Sequence, residues 1–280
     1  MSELLIVGGL TIDRFTDGQS APGGSVLHAG LAAVQEGAAV TFLTVAGDEP
    51  EAVEGLARLA TLGTLIHQPS ATTTTYRHDE SKGRRVLMYD AATAHIEPPI
   101  AGGIEPPQVA LLAPIADELP AAAVDMLRAA LRPACTVLLI QGWLRRLELG
   151  SPVRPLPLDV VAPELWATFS RADAIVVSTE DLAEAPEDPF AQAAALRARL
   201  GPVPVLVLTL GTEGYLLDDP AADRLVATMP RVVVEGVPTV GAGDTFGAAL
   251  AVHLSRGNNV TAAARAATER VIHVLDARRS

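Results

Sequence analysis

Short, mostly apolar runs recur along this chain, and the first, Leu4 to Val7, is unbroken. Leu4-Leu5-Ile6-Val7 stops at Gly8-Gly9, and Val40 to Val45 stops just before Gly47-Asp48. Further runs begin at Val109 and cover 136–140, 173–177 and 204–210. A run without polar alternation has no side for solvent. It fits a strand buried on both faces, as in a parallel sheet covered by helices. Helical periods fill the gaps. Gly23-Gly24-Ser25 opens a segment with Val26, Leu27, Gly30, Leu31 and Val34, closed by Gly37. Others fall at 50–62, 119–131, 161–170, 189–200, 242–256 and 259–276. The alternation predicts an α/β fold: a doubly wound, mostly parallel central sheet with helices on both faces.

Three stretches depart from the pattern. Residues 10–22 carry Asp, Gly and Pro and read as a loop, and the Pro-rich 151–163 reads as another. Thr72–Arg77 and Arg85–Tyr89 are β-prone and flank the polar turn Asp79–Gly83, which predicts an antiparallel hairpin. Leu216-Leu217 and Arg224–Thr228 predict short antiparallel strands. No internal repeat divides the chain, so residues 1–280 read as one domain.

Composition excludes several classes. Acidic residues number 33 against 21 basic ones, a formal charge of −12, which disfavours nucleic-acid or anionic-membrane binding through bulk positive charge. Of the 21 basic residues only Lys82 is lysine. It sits in Ser81-Lys82-Gly83, so there is no Gly-Lys-Ser/Thr phosphate loop, and a polar turn is a poor place for a Schiff-base amine. Cys135 is the single cysteine, which rules out an internal disulfide and a cysteine-rich zinc site; its flanks read as a strand holding an inert thiol. No His-x-x-x-His pair occurs, and no apolar run reaches the ~20 residues of a membrane span. With no basic leader at Met1-Ser2-Glu3, the chain reads as soluble, reduced and cytoplasmic.

Chemistry concentrates in Gly236-Val237-Pro238-Thr239-Val240-Gly241-Ala242-Gly243-Asp244-Thr245-Phe246-Gly247. Glycines lead into an apolar helix. The first N–H groups of a helix lack partners, and the positive end of its dipole lies behind them, so such a start receives an anion without lysine. Asp244, in the first turn, can accept a proton from a hydroxyl. An anion hole beside a carboxylate is what phosphoryl transfer to an alcohol requires.

This string resembles the C-terminal signature of the ribokinase or PfkB carbohydrate kinases, in which Asp-Thr-x-Gly-Ala-Gly-Asp precedes a helix. Thr239, Gly241, Ala242, Gly243 and Asp244 match it, while Pro238 stands at the family's first Asp. The resemblance implies an anion hole at Gly241, Ala242 and Gly243, and Asp244 as catalytic base. It extends along nearly the whole chain in order. Gly8-Gly9-Leu10-Thr11-Ile12-Asp13 resembles the family opening, whose Asp holds substrate hydroxyls. Pro22-Gly23-Gly24-Ser25-Val26-Leu27-His28 resembles the first signature, with His28 at the usual Asn. Gly47-Asp48 matches a Gly-Asp read as structural. Ser178-Thr179-Glu180-Asp181 resembles Asn-x-x-Glu, linked to magnesium and phosphate placement mainly through water, with Ser178 for Asn and Asp181 for Glu beside Glu180. Thr209-Leu210-Gly211-Thr212-Glu213-Gly214 resembles the Thr-x-Gly-x-x-Gly nucleotide segment, and Thr239 and Ser178 are assigned to the same ligand. Gln141-Gly142-Trp143-Leu144-Arg145, taken with Gly-Ser-Val-Leu-His, resembles the inositol-kinase-like branch and implies substrate contacts for Gln141 and Arg145.

The resemblance therefore implies a ribokinase-like fold using ATP and Mg²⁺, with a small β lid from parts of 11–22 and 71–96. A lid this short implies incomplete cover in a monomer, or completion in a homodimer through the lid. Aromatic residues make up only 4 %, which disfavours a stacked nucleobase as acceptor and favours a neutral sugar or polyol over a nucleoside. The Pro238, Ser178 and His28 departures keep open a catalytically weak or inactive sugar or nucleotide sensor on the same fold. A nicotinamide dehydrogenase needs Gly-x-Gly-x-x-Gly after the first strand, and Gly8–Asp13 lacks it.

Overall fold

The computed structural model describes residues 3–79, 86–98, 103–183, 187–228, 230 and 232–279. In chain order it runs β1 (Leu4–Gly9), β2 (Thr11–Arg14), β3 (Ser20–Gly23), α1 (Ser25–Gln35), β4 (Val40–Ala46), α2 (Pro50–Leu62), β5 (Thr64–Pro69), β6 (Thr74–Asp79) and β7 (Val86–Ala91). Then follow β8 (Val109–Leu112), α3 (Ala121–Leu131), β9 (Cys135–Leu139), β10 (Arg145–Arg146), β11 (Ser151–Pro152), β12 (Arg154–Pro155) and α4 (Pro163–Phe169). The chain closes with β13 (Ala174–Ser178), α5 (Pro189–Leu200), β14 (Val205–Thr209), β15 (Tyr215–Asp219), β16 (Arg224–Thr228), α6 (Ala242–Ser255) and α7 (Val260–Asp276).

The central sheet has nine strands in the order β16-β15-β14-β13-β9-β8-β1-β4-β5. Every pair from β14 to β5 is parallel; β15 and β16 extend it antiparallel. Its core follows from the side-chain period of two. Leu4, Ile6, Phe42, Leu111, Val137, Val176 and Val207 join one cluster with α1, α2, α6 and α7. Their neighbours Leu5, Val7, Leu43, Leu112, Leu138, Ile175 and Leu206 join the other with α3, α4 and α5. The mostly apolar runs are thus the signature of two covered faces. Helix α6 is the extreme case, with Thr245 to Val252 all buried. Among the described residues no helix is long and apolar enough to cross a membrane.

A second sheet of five strands, ordered β11-β7-β6-β2-β3, stands beside the C-terminal end of β1. It corrects two readings. Residues 10–22 are not a loop: Thr11–Arg14 and Ser20–Gly23 pair antiparallel, and β2 runs parallel to β6. The Pro-rich 151–163 also contributes, because Ser151 and Pro152 pair with Tyr89 and Met88. Proline survives there at the sheet's edge, where its missing donor is not needed. The hairpin β6–β7 forms antiparallel, and its turn beyond Asp79 lies outside the described residues. β5, absent from the sequence reading, is a half-exposed edge strand without an unbroken apolar run. Gly47 is structural: its N–H donates to Thr73 Oγ1 at 2.7 Å, and Glu49 takes both the N–H and the hydroxyl of Thr73. Cys135 is partly buried, and burial, with Asp173 nearby, pushes its thiol up to about 12, which keeps it protonated and inert.

Candidate active site

In an open α/β sheet the crevice lies beyond the carboxyl ends of the strands. Here a cleft of about 760 Å³ occupies that position, between the strand ends, the second sheet and the starts of α1 and α6. It gathers residues distant in sequence. Asp13 and Thr11 enter from β2, Gly24 and His28 from the start of α1, and Gln141 and Arg145 from the segment after β9. Ser178, Glu180 and Asp181 line it at the end of β13, and Thr209, Gly211 and Gly214 at the end of β14. Thr239, Gly241, Ala242, Gly243 and Asp244 close the ring at the start of α6. Gly23 is the one expected site residue that does not line the cleft; it lies behind the Asp13 carboxylate.

The start of α6 shows why its sequence is so small. Gly241 caps the helix with φ of 76°, a left-handed conformation that glycine adopts without strain. A Cβ there would stand 2.5 Å from Cγ of His28. His28 therefore packs directly on the helix cap. The Ala242 N–H donates to Thr239 O at 3.0 Å, so that amide is not free, contrary to the sequence reading. Thr245 N–H closes the turn on Gly241 O at 2.9 Å. Among the described residues, no partner takes the N–H of Gly243 or Asp244. The space beside Gly243 is open, with nothing within 4 Å of where a Cβ would stand.

The part of the cleft around Asp13 is polar and braced. Asp13 Oδ1 lies 3.1 Å from Nε2 of His78 on β6. Arg145 donates to Ile115 O at 3.0 Å and lies 5.9 Å from the Tyr76 ring centroid. Tyr76 donates its hydroxyl to the same carbonyl at 2.8 Å, and burial pushes its phenol up to about 12, so it remains a donor. The Ile115 segment is anchored in turn by Glu118. That buried carboxylate accepts the N–H groups of Gly9, Ile115 and Ala116 at 2.7, 2.8 and 2.8 Å.

The acidic pair after β13 divides its roles. Asp181 is buried; its Oδ1 accepts from Gln141 Nε2 at 2.8 Å and its Oδ2 from Ser178 N–H at 3.1 Å. Ser178 Oγ accepts from Glu180 N–H, completing a reciprocal cap. Burial pushes the Asp181 carboxyl up, against the opposing pull of Arg145, Gln141 and Ser178. Glu180 is exposed at the rim. Among the described residues no group of three His, Cys, Asp or Glu is placed to hold a metal ion.

Sequence reasoning missed Thr11, His78, Tyr76 and Glu118, whose roles arise from cross-strand and loop contacts. It also missed an apolar wall at the α6 end. Val232, Val233 and Val240 are 55, 45 and 37 % exposed and line the cleft with Val271, Ile272 and Leu275 of α7. The run Val232-Val233-Val234, apolar yet outside any strand, was its visible signal.

Comparison with known proteins fits this geometry. The sequence model of the pfkB family carbohydrate kinases matches residues 10–269. The ribokinase of Bacillus subtilis (strain 168) is 31 % identical over 115 residues, 41 % of this chain and 34 % of that protein. The match thus spans about a third of that relative's length. A pyrophosphate-dependent kinase in the ribokinase family, complexed with a pyrophosphate analog and myo-inositol, superposes with a TM-score of 0.75 at 18 % identity, over 95 % of this chain and 92 % of that one. The Arabidopsis thaliana ribokinase complexed with ribose and ATP gives 0.72 at 18 % identity, over 98 % of each chain. At such identities the likeness establishes the ribokinase-like fold.

Proposed function

The chain belongs to the pfkB family of carbohydrate kinases, and on that premise we propose that it transfers the γ-phosphoryl group of ATP to a hydroxyl of a small neutral polyol or sugar, an inositol-like ring being favoured. One observation carries the reading. A single cleft is lined both by free helix-start N–H groups with a carboxylate, Asp244, and by a second, braced carboxylate, Asp13.

Asp13 orients the acceptor, and Gln141, His28 and Arg145 line the same cleft. Asp244 takes the proton of the attacking hydroxyl as its oxygen bonds to the γ-phosphorus and the bond to the leaving diphosphate breaks. The N–H groups of Gly243 and Asp244, at the turn formed by Gly241 and Ala242, face the charge that develops on the phosphoryl oxygens. Preorganised amides act without the lysine this chain lacks there.

The apolar wall supports a nucleotide as donor. Val232, Val233, Val240 and the α7 residues would stay uncovered under bare pyrophosphate, whereas a nucleobase buries them. Thr209, Gly211, Gly214, Ser178 and Thr239 border the same end, and the open space beside Gly211 admits close approach. Mg²⁺ bound with the nucleotide neutralises charge on the transferring phosphates. With both Asp181 oxygens engaged, Glu180 at the rim would hold the ion through water.

A coupled assay of ADP release over polyols, sugars, sugar phosphates and nucleosides, with ATP and pyrophosphate as alternative donors, tests the reading. Asp244→Asn is expected to lower kcat by about 10³-fold or more while nucleotide binding persists. Unchanged turnover in that variant would remove Asp244 as base. Ligand binding without ADP release across the whole panel would identify a sensor instead.

A further inference from the structure

His78 lies outside every motif, yet it is the side chain that grips Asp13. Its own side chain is only 6 % exposed. An ionised carboxylate only accepts hydrogen bonds, so the 3.1 Å contact requires the proton on Nε2, with His78 donating to Asp13 Oδ1. The Phe15 ring stacks on the imidazole at 4.8 Å between centroids and 17° between planes. Phe15 follows β2 directly, so the strand that carries Asp13 also carries the stack that holds its partner.

The other carboxylate oxygen is fixed from behind. A Cβ on Gly23 would stand 2.1 Å from Asp13 Oδ2 and 2.9 Å from Thr11 Oγ1. Only the absence of that atom lets Oδ2 lie where it does. Cross-strand pairing of Asp13 with Ala21 and Tyr76 sets the register that brings these groups together.

We propose that His78 is the positioning residue of the acceptor end: by occupying Oδ1 it orients the Asp13 carboxylate and leaves Oδ2 for the acceptor hydroxyl. This rests on the reading of Asp13 as the acceptor-holding group. His78 touches no reacting atom in this account; it acts through Asp13. Its loss therefore costs acceptor binding and spares the donor site.

The test compares His78→Leu, His78→Gln, Asp13→Asn and the double variant His78→Leu/Asp13→Asn. Myo-inositol and ribose serve as acceptor probes, in calorimetry and in the ADP-release assay, and thermal melts confirm folding. Glutamine places an N–H near the position of Nε2; leucine cannot donate. Loss of a hydrogen bond to a charged group predicts an acceptor KM raised about tenfold or more in His78→Leu, with the ATP KM within about twofold of wild type. His78→Gln recovers most of the loss. The double variant is little worse than Asp13→Asn, since both act through one carboxylate. Phe15→Ala, an exposed truncation, gives a smaller rise of the same kind.

An unchanged acceptor KM in His78→Leu, equal impairment of donor and acceptor, or His78→Gln as defective as His78→Leu would each overturn the proposal. If Asp13→Asn weakens the acceptor but His78→Leu does not, this inference alone falls. If Asp13→Asn leaves acceptor binding intact, or neither probe binds wild type, the reading beneath it falls as well.

Discussion

Glu118 is fully buried, yet three backbone N–H groups converge on its carboxylate. It ties the end of β1 to the Ile115 segment, whose carbonyl holds both Tyr76 and Arg145. The link to β1 is not announced locally, because Gly9 lies 109 residues away, while Ile115 and Ala116 are neighbours in the chain. The same holds for His78, legible only once β2 and β6 are known to be neighbours. That Asp244 and Asp13 line one cleft could be anticipated because their settings are local: a carboxylate in the first turn of a glycine-led helix, and another shortly after a buried strand. Glu118→Ala would leave three buried donors unmet and is expected to cost about 3 kcal/mol or more, a fall in Tm of roughly 6 °C or more by thermal melt. Burial pushes the Glu118 carboxyl up despite those donors. A raised folded-state pKa gives a contribution fully present below the unfolded value and lost as pH rises through the folded one. The Tm advantage of wild type over Glu118→Gln should therefore narrow as pH rises above the ordinary carboxylate range. An advantage that widens there would contradict the direction of the shift.

At the scale of elements, legibility followed burial. Strands β1, β4, β8, β9, β13 and β14 are covered on both faces, so their composition alone marks them. β2 and β3 are four residues each, with no apolar run, and owe their strand form to pairing with each other and with β6. β10 to β12 are two-residue pairings with no period to read. Helix α6 was legible in both senses, since its apolar body fixes burial and its glycines fix the start. Gly241→Ala tests that start. A left-handed φ of 76° costs a non-glycine residue roughly 1–2 kcal/mol, and the new methyl would press on His28. The expected outcome is a protein that folds with a modestly lowered Tm and weakened binding of both nucleotide and acceptor, read by calorimetry. Wild-type affinity for both ligands would show that the cap does not set the site.

For the whole molecule, the formal charge of −12 sets a repulsive background for an anion as highly charged as ATP. On the proposed reading the site would answer it locally, with amide dipoles at the start of α6 and a cation bound with the nucleotide, rather than with a basic patch. These two sources of attraction respond differently to salt. Phosphates held by exposed arginines would bind more weakly as ions screen them, whereas a net-acidic surface repels the ligand less once screened. Screening length shortens from about 30 Å at 0.01 M to about 8 Å at 0.15 M ionic strength, so the long-range repulsion is removed while contacts inside the cleft persist. The Kd for Mg-ATP, measured by calorimetry at those two ionic strengths with Mg²⁺ in excess, is expected to stay level or fall by up to about twofold. A rise of more than about threefold would mean that basic side chains carry the donor phosphates, and the backbone account of the α6 start would have to yield to them.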